Sequence, residues 1–293
     1  MTFGIRGNIN KPELPAVVFR LVRELNRKKI NFLVEKELAK LVTRDFDIKF
    51  PVKQRPPNKE LVNSSDFIIS IGGDGTFLAT AKYVGSRNIP IIGVNLGKLG
   101  FLAETSPSNI ARFVADVIKG KYLIEEKTIL SASSDTFPEK HIYAVNEIVI
   151  NQYGVIKIIE LQAYYNDQLI SNSHADGIIV STPTGSTGYS LSAGGPIVLP
   201  KTKVLILSPL SPHTLTARPV ILPDDGVIKI KVNSRVPIII TADGNANLKL
   251  KSPGIVEITK ADYTVKLVKS LDSNYFRILN KKLLWGEDRR KNT

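Results

Sequence analysis

The sequence has no cysteine, one methionine, one tryptophan and three histidines. Without cysteine there is no disulfide framework, no thiolate metal site and no thiol nucleophile. His141, His174 and His213 are far apart in the chain and offer little material for a histidine metal centre. No apolar run approaches the ~20 residues of a membrane-spanning helix. The chain does not open on a charged-then-apolar leader. The 20 glycines and 17 prolines are spread along the chain, which excludes collagen-like and linker-like readings. These absences lead us to expect a soluble, cytoplasmic protein.

What is present is globular composition: 293 residues, 43% hydrophobic and 23% charged. That length exceeds one ordinary core, so two domains are expected. Forty Lys and Arg against 27 Asp and Glu give a net charge of +13. Such a balance suits nucleic acid, an anionic surface or a polyanionic small molecule. The basic residues are interspersed with Glu, and the clusters Arg27-Lys28-Lys29 and Arg289-Arg290-Lys291 carry no interleaved aromatics. We therefore expect neither a nucleic-acid nor a membrane partner.

The first ~125 residues alternate strands and helices. Phe3–Arg6, 31–34, Phe67–Ile71 and Ile89–Val94 read as strands, and 13–29, 35–42, 75–84 and 107–119 as helices. Strands apolar on both faces, alternating with helices, imply a parallel sheet covered on both sides. Beyond about residue 122 the pattern becomes successive strands separated by turns: Lys127–Ser133, Ile142–Ile150, Ile156–Tyr165, Gly177–Ser181, Val204–Leu207, Gly226–Val232, Ile238–Thr241, Gly254–Thr259 and Thr264–Val268. Residues 274–284 are helical again. The expected organisation is a Rossmann-like α/β domain over 1–120, an antiparallel β-sandwich-like domain over 121–268, and a C-terminal helical segment over 269–293 that could pack back on the first domain.

Two segments carry chemistry. In Ile68-Ile69-Ser70-Ile71-Gly72-Gly73-Asp74-Gly75-Thr76, a buried strand runs through glycines into a helix. Glycines allow positive φ and close ligand approach, and N–H groups at a helix N-terminus suit phosphate. The segment is neither the Gly-Lys-Ser/Thr triphosphate loop nor the dinucleotide fingerprint. A carboxylate repels phosphate, so Asp74 makes sense if it holds a cation or accepts a proton from a hydroxyl attacking that phosphate. The plainer alternative is an N-cap for a helix beginning near Thr76. In the second segment, Asp176 to Pro196, a strand precedes a dense run of Ser, Thr and Gly around Tyr189. Hydroxyls at that density fit a polyhydroxylated, phosphorylated ligand. A plain polar loop is the alternative.

Both segments, in this order and about 110 residues apart, resemble the NAD kinase family. The likeness extends to Gly97-Lys98-Leu99-Gly100-Phe101-Leu102, to Asn146-Glu147-Ile148-Val149-Ile150 and to Thr241-Ala242-Asp243-Gly244-Asn245, and covers roughly residues 65–250. It implies phosphorylation of the adenosine-ribose 2′-hydroxyl of NAD to give NADP, with ATP or polyphosphate as donor, Mg²⁺ or another divalent cation bridging donor phosphates, and a homo-oligomer (dimer or tetramer). Carried over by position, Asp74 would be catalytic and would approach that hydroxyl with Gly75 beside it. Gly72, Gly73, Gly75 and Thr76 would hold donor phosphates. Asn146 and Glu147 would contact the adenosine half. Lys157, His174 and Asp176 would line the dinucleotide site. Thr184 and the loop Thr187, Gly188, Tyr189, Ser190, Leu191, Ser192 would surround NAD, with Asn245 at the position where the family commonly has Gln. Gly188 stands where Ala is usual, which should loosen the loop slightly, and His174 where Arg is common.

Three other classes fit parts of the pattern. A lipid or sugar kinase could share the Gly-Gly-Asp-Gly turn, but no long apolar tract suggests a lipid tunnel. A hydrolase using Ser186 with His174 and Asp176 is disfavoured because Gly185-Ser186-Thr187-Gly188 lacks nucleophile-elbow spacing. A non-enzymatic basic binding module is the third reading.

Overall fold

The computed structural model describes residues 1–154 and 157–284. Val155 and Ile156, the latter expected to open a strand, and the cluster Arg289-Arg290-Lys291 lie outside the described residues. Chain contacts divide the protein into two units, Met1–Glu126 with the chain from Val265 on, and Lys127–Thr264.

The first unit begins β1 (Thr2–Gly7), α1 (Leu14–Arg27), β2 (Asn31–Val34), α2 (Lys36–Phe46), α3 (Asn58–Asn63), β3 (Phe67–Gly72), α4 (Asp74–Val84), β4 (Ile91–Asn95) and α5 (Ile110–Ile118). The sheet order is β2-β1-β3-β4 and every pairing is parallel. All six residues of β3 are buried, as a central strand covered on both faces requires. The helical stripe on α1 buries Val17, Val18, Leu21, Val22 and Leu25 against a core that includes Phe3, Ile5, Ile69, Val94 and Phe113. The short helix α3 was not legible: six residues give too little periodicity to read.

The chain continues through β5 (Leu123–Ser134), β6 (Phe137–Ala144), β7 (Glu147–Gln152), β8 (Ile159–Tyr165), β9 (Gln168–Ala175), β10 (Gly177–Ser181), α6 (Tyr189–Ser192), β11 (Val204–Leu210), β12 (Val220–Pro223), β13 (Ile228–Asn233), β14 (Ile238–Ala242), β15 (Ala246–Leu250), β16 (Gly254–Lys269) and α7 (Tyr275–Leu283). In the second unit one antiparallel sheet runs β12-β11-β10-β7-β14-β15. In the other, β13 pairs antiparallel with β8 and with the first part of β16, and β8 with β9. Ile148, Ile150 and Val180 from the first sheet share one core with Leu161, Ile230 and Val256 from the second, so the unit is a β-sandwich.

Two expected strand boundaries are corrected. The run read as one strand over 142–150 is two, broken at Val145-Asn146. The runs 254–259 and 264–268 are one 16-residue strand, β16. Its last residues, Leu267 and Val268, pair in parallel with Ile91 and Ile92 of β4, so the chain returns to the first sheet before α7. Among the described residues no helix is long and apolar enough to cross a membrane.

Candidate functional site

In the first unit β3 ends at Gly72 and α4 starts at Asp74, with Gly73 in the N-cap position and no side-chain cap. Asp74 is therefore the first helical residue, and the N-cap reading is set aside. Its carboxylate turns to the loop after β4. Oδ2 accepts from the N–H of Phe101 at 3.0 Å. Oδ1 accepts from Leu102 at 2.9 Å and Ala103 at 3.1 Å. The Lys282 ammonium, from α7, donates to Oδ2 at 2.8 Å. Burial pushes the Asp74 carboxyl up, but Lys282 and the backbone donors outweigh it and hold the pKa below the ordinary carboxylate value. Asp74 is thus firmly ionised.

The loop is held in place to meet it. Asn95, ending β4, accepts from the N–H of Gly97 at 2.9 Å, and its amide donates to the carbonyls of Gly97 and Lys98. Leu96 donates to the Gly72 carbonyl at 2.8 Å, and Thr105 bridges back to Val94. The site thus sits at the carboxyl ends of parallel strands, where open α/β sheets bind ligands. None of Gly72, Gly73 and Gly75 has positive φ, which corrects one expectation; what the latter two supply is space. A Cβ on Gly73 or Gly75 would meet nothing within 4 Å. Beside them a cavity of about 240 Å³ is lined by Arg6, Gly7, Asn8, Gly75, Thr76 and Thr80, among others. A larger cleft of about 660 Å³, lined by Arg112, Lys269 and Arg277 among others, includes none of the donor-loop residues.

In the second unit Asn146 lies in the break between β6 and β7, and Glu147 opens β7. Asp243, in the β14–β15 hairpin turn, fixes that break. Its carboxylate accepts from the N–H groups of Val145, Asn146 and Glu147 at 2.9, 2.8 and 3.3 Å. Asp243 and Gly244 take φ of 49° and 69°, as a tight Asp-Gly hairpin turn demands. Glu147 is buried, and its Oε2 has no hydrogen-bond partner. Burial first, then the Asp243 charge, pushes its carboxyl up to about 7, against an opposing hydrogen bond from the Tyr189 N–H. A Cβ on Gly188 would lie 2.9 Å from Glu147 Oε2. Glycine here makes room for that carboxylate, a sharper role than the slight loosening expected.

The hydroxyl-rich loop is mostly scaffold. Ser181, Thr182, Ser186 and Ser190 are fully buried. Thr182 Oγ1 donates to the Val145 carbonyl at 2.6 Å, Ser186 Oγ to Pro183 at 2.7 Å, and Ser190 Oγ meets Ser208 Oγ at 3.2 Å. The Ser186 nucleophile reading therefore fails. The Ser190 side chain faces the loop interior, toward Ser208. Thr184 is buried, Thr187 and Leu191 are half-buried, and Tyr189 and Ser192 are exposed. Lys157 and His174 are exposed and Asp176 half-buried. Lys157 donates its N–H to the Gln152 side chain, and the His174 carbonyl accepts from His213 N–H at 2.9 Å. The Asn245 amide folds back onto the Asp243 carbonyl at 2.9 Å. The structure thus brings Asn146, Glu147, Gly188 and Tyr189 together, and gives Lys157, His174 and Asn245 no bond to that cluster.

Two residues are central to these geometries: Asp243, which the sequence offers only as part of the Asp-Gly segment with no role attached, and Lys282, which it does not offer at all. The Asp-Gly turn signal places Asp243 in a hairpin but not its carboxylate on the Val145–Glu147 backbone. Nothing in residue spacing points to Lys282. As for a divalent cation, both Asp74 oxygens face N–H donors, and among the described residues no group of three or more His, Asp or Glu gathers to hold one.

Comparison with known proteins bears on both units. Residues 3–122 match the model of the ATP-NAD kinase N-terminal domain and residues 145–270 that of the ATP-NAD kinase C-terminal domain. The chain is 34% identical over 293 residues to the NAD kinase of Flavobacterium johnsoniae, covering 99% of this chain and 100% of that one. It is 38% identical over 288 residues to the NAD kinase of a Geobacter species, covering 97% and 98%. Among solved structures, yeast NADH kinase complexed with NADH superposes with a TM-score of 0.89 at 25% identity, covering 98% of this chain and 89% of that one. An Archaeoglobus fulgidus NAD kinase in complex with ATP superposes with a TM-score of 0.75 at 26% identity, covering 97% and 99%.

Proposed function

This chain belongs to the NAD kinase family and phosphorylates NAD to NADP, and from that premise we propose which residues perform the transfer. The lipid- or sugar-kinase alternative falls with the family assignment. The observation that carries the reading is Asp74: an ionised carboxylate at the first residue of α4, flanked by two glycines with open space in front of them.

Phosphoryl transfer passes through a loose transition state, so the protein mainly positions groups and offsets charge. Gly73, Gly75 and Thr76 present the α4 N-terminus and open backbone to the donor's phosphates, with Gly72 supporting the turn from β3. Asp74 orients the 2′-hydroxyl of the adenosine ribose. Because its pKa is held low, it is a weak base, and the hydroxyl proton moves late, once the new O–P bond is forming. Asn146, Glu147 and the Thr187–Ser192 loop hold the adenosine half, with Thr184, Asp176, Lys157, His174 and Asn245 as further contacts. Glu147 Oε2, buried and without a partner, is suited to a ribose or adenine donor.

The donor is ATP, a reading supported by the family model's name and by the ATP bound to the Archaeoglobus relative. A divalent cation, held by the donor's phosphates, would offset their charge. Self-association is supported by exposed apolar side chains around the β12 edge, Leu215, Val220 and Ile221, and light scattering tests it. The decisive assay supplies Mg²⁺, NAD or NADH, and either ATP or polyphosphate, and detects NADP(H) with a specific dehydrogenase. Product with polyphosphate but not ATP overturns the donor assignment, and product from NADH alone overturns the acceptor.

A further inference from the structure

The Asp74 carboxylate is full. A carboxylate offers about four lone-pair positions, and four N–H donors take them: Leu102 and Ala103 on Oδ1, Phe101 and Lys282 on Oδ2. A substrate hydroxyl finds no acceptor position there while all four remain. Three of the donors are backbone groups in a loop tied to β4 through Asn95 and Thr105. The fourth is an ammonium on a flexible stem, about one-third exposed, whose other contact is the Phe101 ring at 4.4 Å. Only Lys282 can leave without dismantling the loop.

We propose that Lys282 is a displaceable partner of Asp74, a positioning residue that holds Oδ2 until the donor's phosphates draw its ammonium away. The freed lone pair then accepts the hydrogen bond of the NAD 2′-hydroxyl. This rests on the reading of Asp74 as the group that meets that hydroxyl. As the ribose O2′–P bond forms, the bond from phosphorus to the donor's bridging oxygen breaks. The nucleoside diphosphate leaves with that electron pair, and the hydroxyl proton passes to Asp74 Oδ2. Lys282 stays protonated throughout and remains with the departing phosphates until they are released. Coulombic attraction favours the exchange: one ammonium leaves one carboxylate for a polyphosphate carrying several negative charges. The acceptor is thereby engaged only when a donor is present, which makes donor and NAD binding mutually reinforcing.

The test is the coupling between the two ligands. NAD affinity is measured by calorimetry with and without the β,γ-methylene analogue of ATP, in the parent, in Lys282→Met and in Lys282→Arg. In the parent the analogue should tighten NAD by about 5-fold or more, the lower range of typical coupling. Lys282→Met keeps the stem on Phe101 and removes the charge. It should bind NAD about as tightly without the analogue as the parent does with it, lose the coupling, and raise the donor KM about tenfold. Lys282→Arg should retain coupling. Coupling in Lys282→Met equal to that of the parent overturns the proposal, as does its absence in the parent. A crystal structure of the parent with NAD and the analogue gives a test independent of any variant. Lys282 Nζ beyond hydrogen-bond reach of Asp74 Oδ2 is expected, and retention of the present 2.8 Å contact refutes displacement. Asp74→Ala, assayed in parallel, separates the two claims: undiminished turnover there sinks the role of Asp74 itself, whatever Lys282 does.

Discussion

Asp74 and Asp243 do the same work on different loops, each gathering three consecutive backbone N–H groups onto one carboxylate: Phe101 to Ala103 for the first, Val145 to Glu147 for the second. Charge-assisted bonds to backbone N–H groups are among the stronger hydrogen bonds in proteins, so both loops are held in shape from a distance. The neighbours differ. Asp74 has the Lys282 ammonium beside it and is held ionised, whereas Asp243 faces Glu147 and helps push that carboxyl up to about 7.

Asp74→Asn separates clamp from catalyst. The amide would turn an NH₂ group toward N–H donors and leave at least one buried donor unpaired, costing about 1–3 kcal/mol of stability. Turnover should fall about 10²–10⁴-fold if the carboxylate accepts the hydroxyl proton, while NAD affinity, resting on Asn146 and Glu147, falls much less. Steady-state kinetics, calorimetry and thermal melts together give the answer. A lowered Tm with near-parent turnover would leave Asp74 a clamp only.

Gly100→Ala should disable the same group indirectly. A Cβ at position 100 would lie 2.0 Å from Asp74 Oδ1, so either the carboxylate or its loop must move. We expect kcat to drop by at least 10-fold, since misplacement by about an ångström is already costly. Overpacking should add about 1–3 kcal/mol of destabilisation. Parent-like kinetics in a folded Gly100→Ala protein would show that the Asp74 seat is dispensable.

Glu147 carries a pH signature. Its pKa is raised in the folded state from 4.5 to about 7, so its contribution favours folding fully below about pH 4.5 and is lost as pH rises through about 7. The shift corresponds to about 3 kcal/mol at most. Glu147→Gln should therefore flatten the fall in stability between pH 5 and pH 8 and gain on the parent at the alkaline end. Denaturant melts across that window check it; parallel curves for the two proteins would place the pH dependence elsewhere.

Leu284 ends α7 with φ of 53°, a left-handed conformation that costs a non-glycine residue about 1–2 kcal/mol. Its side chain is 44% exposed, so little burial is given up on truncation. Leu284→Gly should raise Tm by a few degrees with unchanged turnover. No gain would mean that the side chain's remaining contacts match the backbone strain.

Much of this was legible in the chain. The run Phe67–Ile71, apolar but for Ser70, and the stripe on α1 announce a buried parallel strand and its covering helix, and the bounds read for Gly177–Ser181 are those of β10. What escaped notice depends on partners distant in sequence. Apolar residues flank Asn146-Glu147 on both sides, which let 142–150 read as one strand; the break at Asn146 is held by Asp243, 97 positions away. Strand β9 (Gln168–Ala175) lies at a sheet edge with mostly exposed or half-buried side chains, so it lacks the alternation that marks a half-buried strand. Lys282 reaches Asp74 across 208 positions, and helical periodicity says which face of α7 is buried but not what its last turn touches.

The return of β16 to the first sheet limits how the gene can be divided. A clone ending at residue 122, where the match to the N-terminal family model stops, would express β4 without the strand that pairs Leu267 and Val268 with Ile91 and Ile92. Its apolar edge would be left open to neighbouring molecules, a recognised route to inclusion bodies. The same clone would also lack Lys282 and so hold Asp74 with three donors instead of four. Fragment complementation therefore needs the last thirty or so codons spliced back onto the first half, and a circular permutant that joins the two termini is the arrangement suited to carry them.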